Sequence, residues 1–359
     1  MSFAGVFRAQ ARACSDLGSP FTARVLNIIA ENLTPGLPVF DRILAWEGDP
    51  TPAGQSVPLR LVGGLHALVL SKDDTGLMAA YPPNPDPSDA ALSTAILAAI
   101  ATHEAILMRW LDSPPQTNEV GRSAVLIAVG QLLAARYGLP LRLLELGASA
   151  GLNLQWDRMA LLAGGEHFGD AGAALTLSPD WFGPLPPQAE LKISTRAGVD
   201  LNPLDPTRPE NHLRMVSYIW PDQAERLQRM RAALAIANAH PANVDQGDAA
   251  PWIANKLAVP VQQQVTVIYH TIAWQYFPKS TQSDARAAIE AAGAAATPDA
   301  PVAWLSMETD GRPDGAALQL RLWPSDETLT LGRADFHGRW IKWHNVQATP
   351  AEAHNSGQT

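Results

Sequence analysis

From Leu141 onward, apolar runs of strand length alternate with stretches of helical period, and few architectures satisfy such a sequence. The strand-like runs are "LRLLELG", "AELKISTRAGVDL", "ANVDQGDA", "VTVIYHTI", "PVAWLSMET", "ALQLRLWP" and "LTLGRADFHGRWIKW". Between them, "GLNLQWDRMALLA", "QAERLQRMRAALAIANA" and "SDARAAIEAAGAAA" read as helices. Parallel strands need crossovers, and helical crossovers cover both faces of the sheet they connect. The pattern therefore predicts an α/β fold built on a doubly wound, mostly parallel sheet. Only "SDET" separates the last two runs, so they read as an antiparallel hairpin at the sheet edge.

The earlier part of the chain has a different texture. Phe3, Val6 and Phe7, then Phe21, Val25, Leu26, Ile29 and Leu33, recur three and four apart, with "GSP" between them, which predicts two helices. "LPVFDRILAW" continues in the same style. "LRLVGGLHALVL" fits a buried helix and a strand alike, and its two glycines favour a close helix contact. "LSTAILAAIATHEAILMRWL" reads as one amphipathic helix, stopped by Pro114 and Pro115. A further helix runs from about Val120 to Arg136, with Gly138 as its C-cap. Residues 1–115 are thus expected to be an all-helical region, 116–347 the α/β domain, and 348–359 a disordered tail.

At 359 residues and 47% apolar, the chain can bury one large core or two of ordinary size. A charged fraction of 17% argues against long disordered segments. The net charge of −9 and the lack of a basic block give no reason to expect a nucleic-acid partner. Cys14 stands alone, which excludes an internal disulfide and thiolate metal clusters. Arg8 and Arg12 interrupt what would be the apolar part of a signal peptide, and no apolar run reaches the ~18 residues of a membrane span. A cytoplasmic protein without a membrane partner is expected. Oligomeric state has no signature here.

The stretch "LRLLELGASAGLNLQWD", Leu141–Asp157, carries the strongest functional signal. A strand runs into Glu145, then into Gly147, Ala148, Ser149, Ala150 and Gly151, and then into a helical pattern. Small residues let a ligand or another backbone approach closely. The following helix would offer free N–H groups, at the carboxyl end of a sheet strand where ligands bind in open α/β folds. A carboxylate at Glu145 would repel a pyrophosphate, but it suits an ammonium or ribose hydroxyls.

The pattern E-L-G-x-x-x-G resembles the first motif of the class I methyltransferases that use S-adenosylmethionine. "AGVDLNP", "VDQGDA" and "VTVIYHTIAWQYFP" follow in the order of that family, over residues 118–343. The resemblance implies a Rossmann-like methyltransferase sheet and S-adenosylmethionine as cofactor, with S-adenosylhomocysteine as product. It places the cofactor at Glu145, Gly147, Ser149 and Gly151, with Asp200 on the ribose hydroxyls and Asp248 near the adenine; Asn153, on the first turn after Gly151, fits a contact to the ligand and a helix cap alike. "QTNEVGRSA", "LELGASAGLNL", "GVDLNPLDP" and "YHTIAWQYFP" are also similar to an uncharacterised bacterial family, a domain of unknown function with a methyltransferase-like core behind a helical region. Two departures stand out. The distance from Gly151 to Asp200 exceeds the ~20 residues usual between glycine turn and ribose acid, so "GGEHFGDAGAALTLSPDWFGPLPPQ" must loop out. The fourth strand also ends in Tyr269-His270, where base-modifying enzymes carry Asn-Pro-Pro-Tyr.

Further candidates surround this core. In "QTNEVGR", Thr117 or Asn118 fits a helix N-cap and Glu119 its dipole. Arg122 is left over, able to clamp a carboxylate. In the methyltransferase fold this segment lies over the methionine end of the cofactor, so Asn118, Glu119 and Arg122 are expected to wall the site. His270 ends an apolar strand and fits both a core histidine and a general base. Trp274 and Tyr276 follow it, as packing residues, as aromatic faces for a sulfonium, or as the lining of an apolar substrate pocket. Asp200, Asp205, Asn211 and His212 lack metal-ligand spacing, and no metal is expected. His66 and His103 read as structural. No hydrolase elbow or phosphate-binding loop motif is present. The leading expectation is methyl transfer to a small-molecule substrate. The alternatives are a nicotinamide dinucleotide (NAD) oxidoreductase, against which Glu145 and the missing G-x-G-x-x-G count, and a non-catalytic module that binds the nucleoside.

Overall fold

The computed structural model describes residues 2–116 and 118–344. The expected tail, 348–359, lies outside the described residues. Two compact units divide the chain. One takes the chain before Asn118 together with Arg208–Arg231, and the other takes Asn118–Thr207 with the chain from Ala232 onward.

The first unit is helical: α1 (Phe3–Asp16), α2 (Pro20–Asn32), α3 (Pro38–Leu44), α4 (Val57–Leu70), α5 (Thr75–Ala79), α6 (Asp89–Thr102) and α7 (Glu104–Asp112). α9 (Pro209–Ser217) joins them, α8 (Ser123–Tyr137) belonging to the second unit. The apolar stripes of α1 and α2 face each other around Phe7, Cys14, Leu26 and Ile29. "LRLVGGLHALVL" is helix, as its glycines favour: a Cβ on Gly63 would lie 2.6 Å from the Tyr218 ring, so α4 meets α9 at a distance only glycine allows. The single amphipathic helix expected after Leu92 is instead two, α6 and α7, bent by 85°. His103 leaves the helical backbone (φ −108°, ψ 32°) and its Nε2 lies 3.1 Å from Asp74. That tertiary pairing overrides a strong helical propensity. No single helix among the described residues is long and apolar enough to cross a membrane.

The second unit is α/β. Its strands are β1 (Leu141–Leu146), β2 (Ala160–Ala163), β3 (Glu166–Phe168), β4 (Thr176–Leu177), β5 (Asp180–Phe182), β6 (Ile193–Asp200), β7 (Asn243–Gln246), β8 (Val265–Thr271), β9 (Val302–Glu308), β10 (Ala316–Trp323), β11 (Glu327–Ala334) and β12 (Trp340–Trp343). Nine of these form one mostly parallel sheet in the order β5-β12-β11-β10-β9-β8-β1-β6-β7. All seven residues of β8 are buried, as expected of a central strand covered on both faces. α11 (Ala249–Leu257) and α12 (Lys279–Ala294) lie wholly in this unit, and α10 (Ala224–Ala239) is divided between the two units at Arg231. α11 and α12 cover Leu144, Ile268, Val302 and Trp304 on one face. β10 and β11 form the antiparallel hairpin, with β12 and then β5 lying beyond it.

One expected helix is absent. "GLNLQWDRMALLA" forms a 3₁₀ segment over Leu152–Arg158, with Gln155 outside helical geometry, and then strand β2. Asn153, Leu154, Gln155 and Trp156 are all buried, and Asn153 and Gln155 spend their amides on neighbouring chain. No α-helix N-terminus therefore follows the glycine turn. The stretch expected to loop out supplies β3 and β4, which flank β2 in a separate three-stranded sheet, and lends β5 to the main one. β6 is thereby free to pair parallel with β1, and Asp200 ends the strand next to it.

Candidate functional site

Across the parallel part of the sheet the strands run β7, β6, β1, β8, β9, so chain order reverses between β1 and β8. In open α/β sheets the connections on either side of such a reversal leave in opposite directions, and the crevice outside the carboxyl ends of the two strands is where ligands bind. β1 delivers Glu145 and the glycine turn to this point, and β8 delivers His270 and Thr271.

On the β1 side, Glu145 is 2% exposed and its Oε2 is buried without a hydrogen-bond partner. Burial, reinforced by the negative charge of Asp200 and opposed by Arg122, pushes its carboxyl well above the usual carboxylate range. The Ser149 Oγ is likewise buried and unpartnered. Gly147 and Ala148 N–H groups both donate to the Val199 carbonyl, at 2.9 and 3.0 Å. The Asp200 carboxylate accepts from Ser149 N and Asn202 N, each at 2.9 Å. Asp200 thus ties the tip of the glycine turn to the end of β6.

Two non-glycine residues flank the crevice in the left-handed region, Ser149 at φ 53° and Ile272 at φ 52°. For β-branched Ile272 the conformation is strained, and such strain gathers where a site needs a fixed backbone. Gly147 shares that region (φ 73°), and a Cβ there would lie 2.6 Å from the Ala273 Cβ. Gly147→Ala is therefore expected to destabilise the protein by about 2 kcal/mol through strain and overpacking. Adding Ala273→Gly should restore only the overpacking part. Urea melts of the single and double variants measure both, and a neutral Gly147→Ala would contradict this packing.

The segment before α8 packs against the same turn. Asn118, 4% exposed, accepts from the Leu152 N–H at 2.8 Å through its Oδ1. The Glu119 Oε1 accepts from Gly121 N, and its carbonyl accepts from the Asn153 amide. Asn153 also takes a 2.7 Å hydrogen bond from the Ser123 hydroxyl, so its side chain is spent inside the protein. Arg122 donates to the carbonyls of Thr271 and Phe336, each at 2.9 Å, placing its charge at the carboxyl end of β8.

On the β8 side, His270 is 1% exposed with both ring nitrogens engaged. The Trp304 indole N–H donates to Nε2 at 3.1 Å, and Nδ1 donates to the Glu308 Oε1 at 2.7 Å. An indole can only donate, which makes Nε2 the acceptor and gives the hydrogen to Nδ1. No lone pair remains to take a proton from an acceptor. The general-base role is not supported by this geometry. The same Oε1 accepts from Ala273 N and Trp274 N, both at 3.0 Å, so the pair shapes the loop against Gly147. Trp274 stacks on His270 with centroids 4.7 Å apart, and Arg286 lies over Trp274 and Trp304. Tyr276 is 71% exposed. Asp248 caps α11 through Ala250 N and accepts from the Thr281 hydroxyl at 2.8 Å.

Sequence reasoning missed Glu308, Trp304 and Ile272. The signal for Glu308 was available, since "AWLSME" ends in an acid after an apolar run as "LRLLE" does. Ile272 gave none, because nothing in a β-branched residue announces a left-handed turn. Among the described residues, no three His, Cys, Asp or Glu side chains converge as a metal site requires.

A family model described as an uncharacterised protein conserved in bacteria (DUF2332) matches residues 4–343. No curated protein matches the chain.

Proposed function

We propose that this chain, which belongs to the DUF2332 family of uncharacterised bacterial proteins, binds S-adenosylmethionine at the β1/β8 crevice and transfers its methyl group to a small-molecule acceptor. The observation that carries the reading is Glu145, a buried carboxyl whose Oε2 has no partner, at the carboxyl end of β1 beside the order reversal of the sheet. Leaving a buried polar atom unpaired costs ~1–3 kcal/mol, a cost that a ligand able to pair it would remove. An amino acid ammonium suits such a carboxylate, and the unpartnered Ser149 hydroxyl offers a second polar contact on the same turn. When bound, the cofactor supplies an electrophilic methyl on a sulfonium.

The chain's own residues bind and position. Glu145 receives the ammonium. Asp200, held by Ser149 and Asn202, is the acid for ribose hydroxyls at the end of the adjacent strand. Arg122 balances the negative charge gathered by Glu145 and Asp200. His270 is a positioning residue: through Glu308 it fixes Ala273 and Trp274, the backbone facing the glycine turn. In-line transfer then depends mainly on alignment. Asp248, spent on α11 and Thr281, would mark the adenine side by place alone.

One observation favours a second reading, a module that binds the nucleoside without chemistry: His270 has no lone pair to spare. Thermal melts with S-adenosylhomocysteine, S-adenosylmethionine and NAD test the class. The first two should each raise the melting temperature by several degrees, and NAD, which carries no amino acid ammonium to pair Glu145, should not. Stabilisation by NAD alone would overturn the proposal. Stabilisation by the sulfur compounds without turnover on any acceptor would select the second reading.

A further inference from the structure

At the opposite, amino end of the parallel strands lies a cavity of about 350 Å³ between the sheet and the ends of α11 and α12. Its walls are almost wholly apolar, Leu257, Val261, Ala292 and Val302 among them. Its size falls in the ~300–1,000 Å³ range of small-molecule sites, and it is roughly twice the ~150 Å³ that holds a benzene ring.

Two polar side chains break the apolar lining. Arg142 and Thr266 are neighbours across the β1–β8 pairing, so both face the helices on one side of the sheet. Thr266 is 4% exposed, and its hydroxyl has no protein partner among the described residues. The Arg142 Nη2 donates to the Lys256 carbonyl at 2.8 Å, and its other nitrogens have no protein partner among the described residues. Burial lowers the guanidinium from its usual value. Half-buried arginines ordinarily find a carboxylate, because a desolvated cation alone is costly.

We propose that this cavity is a ligand site for an apolar monocarboxylate of medium chain length. The carboxylate would take the free edge of Arg142 in the side-by-side pairing that guanidinium favours, with the Thr266 hydroxyl donating beside it. The hydrocarbon would fill the alanine-walled space beneath α12. An inorganic anion would leave those walls unfilled, and a neutral alcohol would leave Arg142 unpaired. The site is separate from the β1/β8 crevice: Arg142 and Leu146 stand four residues apart on one strand, about 13 Å.

Octanoate, octanol and sulfate distinguish these occupants in calorimetric titrations of the full chain. The expected result is octanoate binding at least tenfold more tightly than octanol, with no sulfate binding. Arg142→Met should remove the preference for octanoate while keeping octanol affinity. Ala292→Leu, which fills the cavity and leaves the arginine, should abolish both. Octanoate binding no tighter than octanol in the unmodified protein would overturn the proposal without any variant. So would octanoate affinity unchanged by Ala292→Leu in a protein that melts normally.

Discussion

Replacing His270 with Ala is expected to unfold the protein about 10 °C earlier than the unmodified chain, and to weaken S-adenosylhomocysteine binding along with it. The imidazole joins Trp304 to Glu308 and stacks on Trp274 at a position 1% exposed. Truncation leaves the indole N–H without its acceptor and Glu308 with only its two backbone donors, and it opens a void beneath Trp274. Breaking a buried polar network of this kind costs ~3–5 kcal/mol, and a domain of this size loses ~2–4 °C per kcal/mol. Ligand binding should fall because Glu308 holds Ala273 and Trp274, the segment against Gly147. A general base would give the opposite pattern, turnover down ~10²–10⁴-fold with stability and binding intact. Thermal melts with and without S-adenosylhomocysteine separate the two.

Glu145→Gln should act in opposite directions on stability and on binding. The carboxyl sits well above its usual range, pushed there by burial and by Asp200 against the pull of Arg122. A folded-state value raised above the unfolded one means that the native state holds a proton the unfolded chain has released. Stability then falls as pH rises, from the unfolded value near ~4.3 up to the folded one. Glutamine keeps the shape and removes the titration. The variant should match the unmodified protein at acid pH and exceed it at pH 8 by about 1 kcal/mol or more. Binding of an ammonium-bearing ligand should weaken roughly 10–100-fold, the worth of a hydrogen bond to a charged group. A carboxyl serving the fold alone would instead lose stability on substitution at every pH. Urea melts between pH 5 and 8 report the first effect, and calorimetry reports the second.

Much of this is legible in the sequence, for physical reasons. β8 is buried along its whole length, so its apolar run could be read directly, and the strand–glycine turn at Leu141–Gly151 identified β1. α8 carried its own stop signal at Gly138, which adopts φ 63°. The errors share a cause. "GLNLQWDRMALLA" has helical period, yet Asn153 and Gln155 are held by Ser123, Glu119 and His240, all distant in sequence. His103 breaks a helix because Asp74 waits beside it. α11 was missed although Asp248 caps it, because its nine residues are too few for a period to emerge. At the site, the strand-end acids were visible, but their occupancy was not. Nothing in "VTVIYH" shows that Trp304 and Glu308 take both nitrogens of His270.

The role proposed for Glu145 is to receive a cationic group. Titration of the unmodified chain with S-adenosylhomocysteine at pH 7, in two buffers of different ionisation enthalpy, tests it most directly. Binding should release up to about one proton, as the ammonium draws Glu145 into its ionised form, and that release should be lost in Glu145→Gln. No binding at millimolar ligand, or binding with the same proton count in both proteins, would contradict it.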